Sequence, residues 1–247
     1  MTEAKKNQED QINKQIPYYE KIMKSLEPLF PQVMTEYNGE DITQFHEIKT
    51  EGFTQHLRAF KADKISKILT LTTEVMGGAI VVYGTTIIPE DNYPLPLFTS
   101  EVVFTATHLS LRVDLIPLAD LTMDEPYLEK YMMPMEDLWK KYRKIEGAGI
   151  ERYVWQRVML SPFYTYGKYK YSLEDIDKKC LDITAEYLDL YVKLWKDVQP
   201  ADPGYMERLN ERKKVMLKTM CEYDPGEFWL KQDLGEEKAK KILALLF

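Results

Sequence analysis

Two carboxylates in this sequence sit where a carboxylate is costly. Glu101 lies within Phe98-Thr99-Ser100-Glu101-Val102-Val103-Phe104, a run whose neighbours read as buried strand. A side chain facing the interior there would be desolvated, and it would still hold a proton to donate near neutral pH. The plainer reading, which the strand pattern alone favours, is a Glu101 that points to solvent or pairs with a Lys or Arg. Asp224 also stands out by position, before Pro225-Gly226, where its strong plain reading is the cap of the next helix. Asp114, within Leu111-Arg112-Val113-Asp114-Leu115, is a third charge in an apolar strand, and pairing with a nearby cation would explain it. Around these acids the chain is rich in rings, with 17 Tyr, 4 Trp and 9 Phe. They cluster at Tyr164, Tyr166, Tyr169 and Tyr171 and again at Phe228 and Trp229. Rings mostly fill cores and cover sheets. The functional alternative is a flat apolar slot for a conjugated ligand, with a few polar groups placed in it.

Other chemistries lack their residues. No Gly-x-Gly-x-x-Gly follows a strand, no Walker loop occurs, and no Gly-x-Ser-x-Gly elbow appears. His46, His56 and His108 have no metal-ligand spacing with one another or with Cys180 and Cys221, so neither a zinc site nor a disulfide framework is expected. A net charge of −7 argues against general nucleic-acid binding. The opening residues carry acids and no apolar core, and no run approaches the roughly 20 apolar residues of a membrane span. The expectation is a soluble protein of the cytoplasm, or of the plastid stroma if the source is a photosynthetic eukaryote.

The elements that must position the acids follow from periodicity. Gln8 to Val33 reads as an amphipathic helix, followed by a polar break over Glu36 to Asp41, so residues 1–45 are expected as a helical extension. From Gly52 the period changes to that of strands: Phe53 to Phe60, Lys67 to Val75, Ala79 to Ile88, Phe98 to Ala106 and Ser110 to Pro117, with Gly77-Gly78 as a turn. Short connections between them imply an antiparallel meander. Glu125 to Lys144 reads as a helix and Tyr153 to Tyr171 as a further strand region. Ser172 is the expected N-cap of a helix to Val198, Tyr205 to Glu222 forms another, and two short helices close the chain. No linker interrupts this order. One domain with helices packed on a central antiparallel sheet is expected.

Several segments together resemble the ferredoxin-dependent bilin reductases. Pro89-Glu90-Asp91-Asn92-Tyr93-Pro94-Leu95-Pro96-Leu97-Phe98, with an acid three residues on, is similar to that family's proline-rich turn before its acidic pocket strand. Val113-Asp114-Leu115-Ile116-Pro117-Leu118 resembles its apolar-Asp-Leu-x-Pro-Leu stretch, and Ser161-Pro162 its central Ser-Pro segment. The most specific match is the ending: Asp224-Pro225-Gly226, Leu230-Lys231, Gly235-Glu236-Glu237 and Leu245-Leu246-Phe247. Residues before Gly52 contribute nothing to the likeness.

The resemblance implies an α/β/α sandwich, with a linear tetrapyrrole such as biliverdin held between the sheet and the C-terminal helices. It implies electrons arriving singly from reduced ferredoxin, bilin radicals as intermediates, and no bound flavin, metal or nicotinamide. Glu101 and Asp224 become the expected proton donors on opposite sides of the pigment. Lys168 becomes the expected propionate anchor, and Tyr166, Phe98 and Ser161 further substrate contacts. A monomer is expected, with bilin and ferredoxin as partners. Three positions depart from the phycocyanobilin-forming type: Gly84 stands where it has a catalytic His, and Thr70 and Thr72 fall near its upstream His and Glu. The Glu at position 101, in place of the usual Asp, and the Asp114 to Leu121 run also resemble red chlorophyll catabolite reductase. Reduction of an opened chlorophyll, or bilin binding without turnover, are therefore the alternatives.

Overall fold

The computed structural model describes residues 18–172 and 174–247. Residues 18–26 form helix α1, and a short 3-10 turn follows at Glu27–Leu29. The helix expected to reach Val33 stops here because Pro28 and Pro31 cannot continue its hydrogen bonds, and Phe30 adopts a left-handed conformation. The part of that helix before residue 18 lies outside the described residues. The rest of the expected helical extension is mainly short strands and their turns, with a 3-10 turn at Thr43–Phe45: β1 (Gln32–Val33) joins the main sheet, and β2 (Glu36–Tyr37) pairs with β3 (Glu40–Asp41). Asn38 and Gly39, both at positive φ, supply the hairpin turn that the polar composition concealed.

Among the described residues the main sheet has eight strands. Along β1, β5 (Phe53–Ala62), β6 (Ile65–Val75), β7 (Ile80–Pro89), β8 (Leu97–Phe104), β9 (His108–Ile116) and β10 (Thr165–Lys170), every neighbouring pair is antiparallel, and β4 (Glu47–Lys49) adds to β5. The meander expected from residues 53–117 is present to within two residues at most strand ends. Its alternation is cleanest on β7, where Val81, Tyr83, Thr85 and Ile87 are buried while Val82, Gly84 and Thr86 are partly open. The sheet therefore has a dry face and a partly open one.

The dry face is covered by α1, by the irregular helical stretch from α2 (Glu125–Tyr127) to α3 (Glu136–Tyr142), and by α5 (Ile176–Asp197). Pro134 breaks the helix expected over 125–144 into α, π and 3-10 turns. On α5 the buried side chains Ile176, Cys180, Ile183, Tyr187 and Tyr191 recur at helical spacing and pack on β8 and β9. Tyr18 donates to Thr184 Oγ1 at 2.9 Å, tying α1 to α5. Ser172 is not the cap of α5. Asp175 precedes the first turn in a left-handed conformation, with no side-chain cap.

The other face carries α4 (Val154–Arg157), α6 (Pro203–Tyr223), α7 (Glu227–Leu234) and α8 (Glu236–Leu246). Leu230, Ile242, Leu243 and Leu245 bury against Leu57, Ala59 and Leu69 of β5 and β6. The third layer is thus in place, and the α/β/α arrangement follows. Residues 153–164, expected as strand, are instead a single helical turn and a loop, with only Thr165–Lys170 joining the sheet. Among the described residues no helix is long and apolar enough to cross a membrane.

Candidate functional site

Registers across the meander place four residues in one row on the open face. Leu71 pairs with Gly84, Gly84 with Glu101, and Glu101 with Arg112. Directly paired antiparallel residues project to the same side, so the row forms a floor with an aliphatic end, a bare centre and a charged end. Arg112 is in turn paired with Tyr166 on β10.

Over this floor lies a cavity of about 570 Å³ including its open mouth. Trp155 and Gln156 of α4 form one wall, Met220 and Asp224 at the end of α6 another, and Leu246 and Phe247 a third. Glu101 and Asp224, separated by 123 positions in the chain, therefore line one crevice between the sheet and the C-terminal helices.

The two acids differ in environment. Glu101 stays 42% exposed at its side chain and lies 3.7 Å from Arg112, so the ion-pair reading of this residue holds. Asp224 is pushed up to about 6. Burial is the main cause and the Glu101 carboxylate the second, while the Gly226 N–H and Arg112 oppose them. Its Oδ1 accepts from Gly226 N at 2.6 Å, which closes a local turn, but the helix cap expected of this residue is not formed. α7 itself begins at Gly226 without a side-chain cap.

Arg112 sits between two carboxylates, with Glu151 4.0 Å away on the far side. Glu151 is buried, and its Oε1 also accepts from the backbone N–H groups of Arg152 and Tyr153. Even so, among the described residues Arg112 Nε and Gln156 Oε1 are buried with no hydrogen-bond partner. Arg112 and Gln156 thus add a guanidinium and a side-chain amide to the cavity lining beside the two acids.

Gly84 has no backbone need to be glycine. A Cβ there would meet only Leu71, at an ordinary 3.6 Å. Glycine weakens a central strand and often marks where something approaches the backbone closely. Its effect here is to leave the middle of the floor bare.

Lys168 and Tyr166 lie on the cavity side of the sheet but outside the cavity lining. Lys168 is exposed one row further out, paired with Ser110, which faces Val103 and then Val82. Tyr166 closes the row beside Arg112 and lines an adjoining cleft with Trp139 and Arg143. Phe98 and Ser161 do not sit where they were expected. Phe98 is three residues from Glu101, which puts it on the opposite face, fully buried with its ring 5.9 Å from that of Tyr191 on α5. Ser161 spends its hydroxyl and its N–H on Asp114, at 2.5 and 2.7 Å. Asp114, raised to about 6 chiefly by burial, is thus satisfied by Ser161 rather than by a cation, and the pair pins the end of the α4 segment to the sheet.

Sequence reasoning missed Arg112, Trp155, Gln156 and Met220 as site residues. Arg112 had a signal: folding a hairpin about residues 106–107 sets it opposite Glu101. The other three come from helices whose placement over the sheet is a matter of tertiary packing.

The chain is similar to known proteins along most of its length. The family described as ferredoxin-dependent bilin reductase matches residues 14–247. The chain is 26% identical over 203 residues to a chloroplastic phytochromobilin:ferredoxin oxidoreductase of Arabidopsis thaliana, an alignment covering 78% of this chain and 58% of the relative. It is 23% identical over 168 residues to a 15,16-dihydrobiliverdin:ferredoxin oxidoreductase of Nostoc punctiforme, covering 68% and 67%. The fold superposes on the crystal structure of tomato phytochromobilin synthase in complex with biliverdin with a TM-score of 0.77 at 21% identity, over 92% of this chain and 80% of that one. With the family match spanning nearly the whole sequence, the chain belongs to the ferredoxin-dependent bilin reductase family.

Proposed function

We propose that this protein reduces a linear tetrapyrrole of the biliverdin type with electrons from reduced ferredoxin, holding the pigment flat on the sheet beneath the C-terminal helices. The observation that carries this reading is the convergence of Glu101, Arg112 and Asp224 on one cavity whose floor is bare at Gly84. A conjugated pigment can itself accept single electrons, so the protein's part is to orient it and to deliver protons. Asp224, held near 6, keeps a protonated fraction close to neutrality and is the principal donor. Glu101, as a carboxylate beside Arg112, sustains the proton affinity of Asp224, and it acts as the second donor by taking up a solvent proton at its exposed side and passing it on. Arg112 and Gln156, both in the cavity lining, bring a guanidinium and a side-chain amide to the polar edge of the pigment. Lys168, exposed one row out, anchors a propionate. Saturating one double bond consumes one electron from each of two ferredoxins and two protons. No resident prosthetic group is needed.

Anaerobic incubation with biliverdin and reduced ferredoxin tests this reading. The visible absorption should shift as the conjugation shortens, and Asp224→Asn should keep the bound-pigment spectrum while slowing its conversion. A pigment that binds but never changes under reduced ferredoxin would make the protein a carrier instead.

A further inference from the structure

The segment that walls the cavity on its solvent side carries a charge opposite to that of the chain. The protein's net charge is −7, yet residues 140–158 contain six cations against two carboxylates. One of those carboxylates, Glu151, is buried and engaged by backbone N–H groups, so it offers little negative charge to the surface. Lys140 and Lys141 are answered by Glu136 and Glu186. Arg152, just before α4, and Arg157, its last residue, are both exposed, the former stacked 4.4 Å from the Tyr153 ring. Between and beside them three aliphatic side chains face water: Ile150 at 68%, Val154 at 64% and Val158 at 73% exposure. Val158 donates its N–H to the Val154 carbonyl, so the two valines sit one turn apart on one side. An aliphatic centre with a basic margin is the make-up of a small, charge-guided protein interface.

The same turn reaches the cavity. Trp155, between Val154 and Gln156, lines it. The Trp155 ring lies 6.3 Å from Tyr153 and 6.1 Å from Tyr223, which is 60% exposed. A ring in the cavity wall is thus contiguous with rings at the surface beside the basic margin.

We propose that the α4 surface, centred on Ile150, Val154 and Val158 and edged by Arg152 and Arg157, is the docking face for the electron donor. The donor this face fits is an acidic, one-electron iron–sulfur protein of the ferredoxin type, and its electrons enter past Trp155. The inference rests on the reduction proposed above. At each docking one reduced iron–sulfur centre is oxidised and the bound tetrapyrrole gains one electron. Two dockings and two protons convert one π bond into two new C–H bonds. The modest area of the face suits a weak redox encounter, which tends to bury less than about 1,200 Å². Charge then sets the encounter rate and makes it sensitive to salt.

The test compares the full-length protein with R152E/R157E and with K178E/K179E, the same charge change on α5 at the other face of the sheet. Ferredoxin binding is titrated directly at low ionic strength, alongside the biliverdin-binding spectrum and pigment reduction driven either by ferredoxin or by dithionite. R152E/R157E should weaken ferredoxin binding and raise its KM at least tenfold, with the bilin spectrum and dithionite-driven reduction unchanged. K178E/K179E should behave as wild type. A second variant, V154S/V158S, should lower ferredoxin affinity without removing its salt dependence. Equal ferredoxin affinity in R152E/R157E and wild type would overturn the assignment, as would a wild-type protein that pairs with itself or binds anionic vesicles through this face but not ferredoxin. A wild-type protein that binds ferredoxin at α4 yet never reduces bilin with either donor would instead defeat the proposed reaction and leave the docking face standing.

Discussion

Glu101 and Arg112 face each other across the β8–β9 register, 3.7 Å apart, and both bear on the proton affinity of Asp224, in opposite directions. The carboxylate raises it and the guanidinium lowers it. The pair therefore sets the proton affinity of the carboxyl above it. Glu101→Gln removes the raising charge while leaving Arg112 in place, so the pKa of Asp224 should fall from about 6. Reduction that needs a protonated Asp224 should then lose rate at lower pH than in the wild type. Single-turnover rates between pH 5 and 8 read this directly, and a limb that stays where it was would show that Asp224 is not the rate-determining donor.

Asp224 also leaves a mark on stability. Its pKa is about 6 in the folded protein against 3.8 ordinarily, so folding disfavours its charged form. The penalty is complete above the folded value, shrinks as the pH falls towards 3.8, and is absent below that. Asp224→Asn mimics the neutral acid at every pH. The variant should therefore match the wild type near pH 3.5 and exceed its melting temperature above pH 6, even as its pigment conversion slows. Equal melting temperatures at pH 7 would mean that solvent reaches the carboxylate and removes the penalty.

What could be read in advance divides along physical lines. The meander was legible because alternation on strands such as β7 is a local pattern and short turns leave antiparallel pairing as the available option. The acids were legible because a charge in a buried run is unusual wherever the run ends up. Residues 153–158 were misread because Tyr153, Val154, Trp155 and Val158 favour strands intrinsically. They form a helical turn here because Gln156, Met159 and Ser161 have to reach inward towards the sheet and Met220. Phe98 was misplaced for a simpler reason: an odd separation from Glu101 puts the two on opposite faces, and that parity was available in the sequence. The walls contributed by Met220 and Phe247 depend on how α6 and α8 lie across the sheet, which no local pattern encodes.

Gly84 separates stability from binding. A methyl group there would touch Leu71 at 3.6 Å without strain. Gly84→Ala should stabilise the strand by about 0.5–1 kcal/mol, the usual advantage of alanine over glycine inside regular structure. The same methyl group projects from the floor of the cavity, and Gly84→Leu fills more of it. Affinity for biliverdin should fall from glycine to alanine to leucine while urea midpoints do not fall in parallel. Tight pigment binding by the leucine variant would place the tetrapyrrole elsewhere.

Lys67 is bonded to the helix whose end forms the third wall of the cavity. Its side chain is 1% exposed, beside an irregularity in β6, and its Nζ donates to the Leu245 carbonyl at 2.6 Å with the Tyr37 ring 4.3 Å away. That carbonyl lies in the last turn of α8, where backbone oxygens lack helical partners, and the next two residues, Leu246 and Phe247, line the cavity. Burial lowers the lysine to about 8 from 10.5, a penalty on the charged form of about 3 kcal/mol. Below pH 8 both folded and unfolded chains carry the proton and the penalty is complete. Between pH 8 and 10.5 the unfolded chain binds more protons, so wild-type stability should rise with pH relative to a Lys67→Met variant, which has nothing to titrate there. Urea unfolding of the two proteins at pH 7 and pH 10 measures the difference. The methionine should compare best at pH 7, where it removes a buried charge, and worst at pH 10, where the wild type keeps a neutral amine bonded to Leu245. If Lys67 is what holds the end of α8 over the ligand, the variant should also bind biliverdin more weakly at pH 7, whatever its stability. A variant that is more stable and binds pigment equally well would reduce Lys67 to a buried charge with no part in shaping the site.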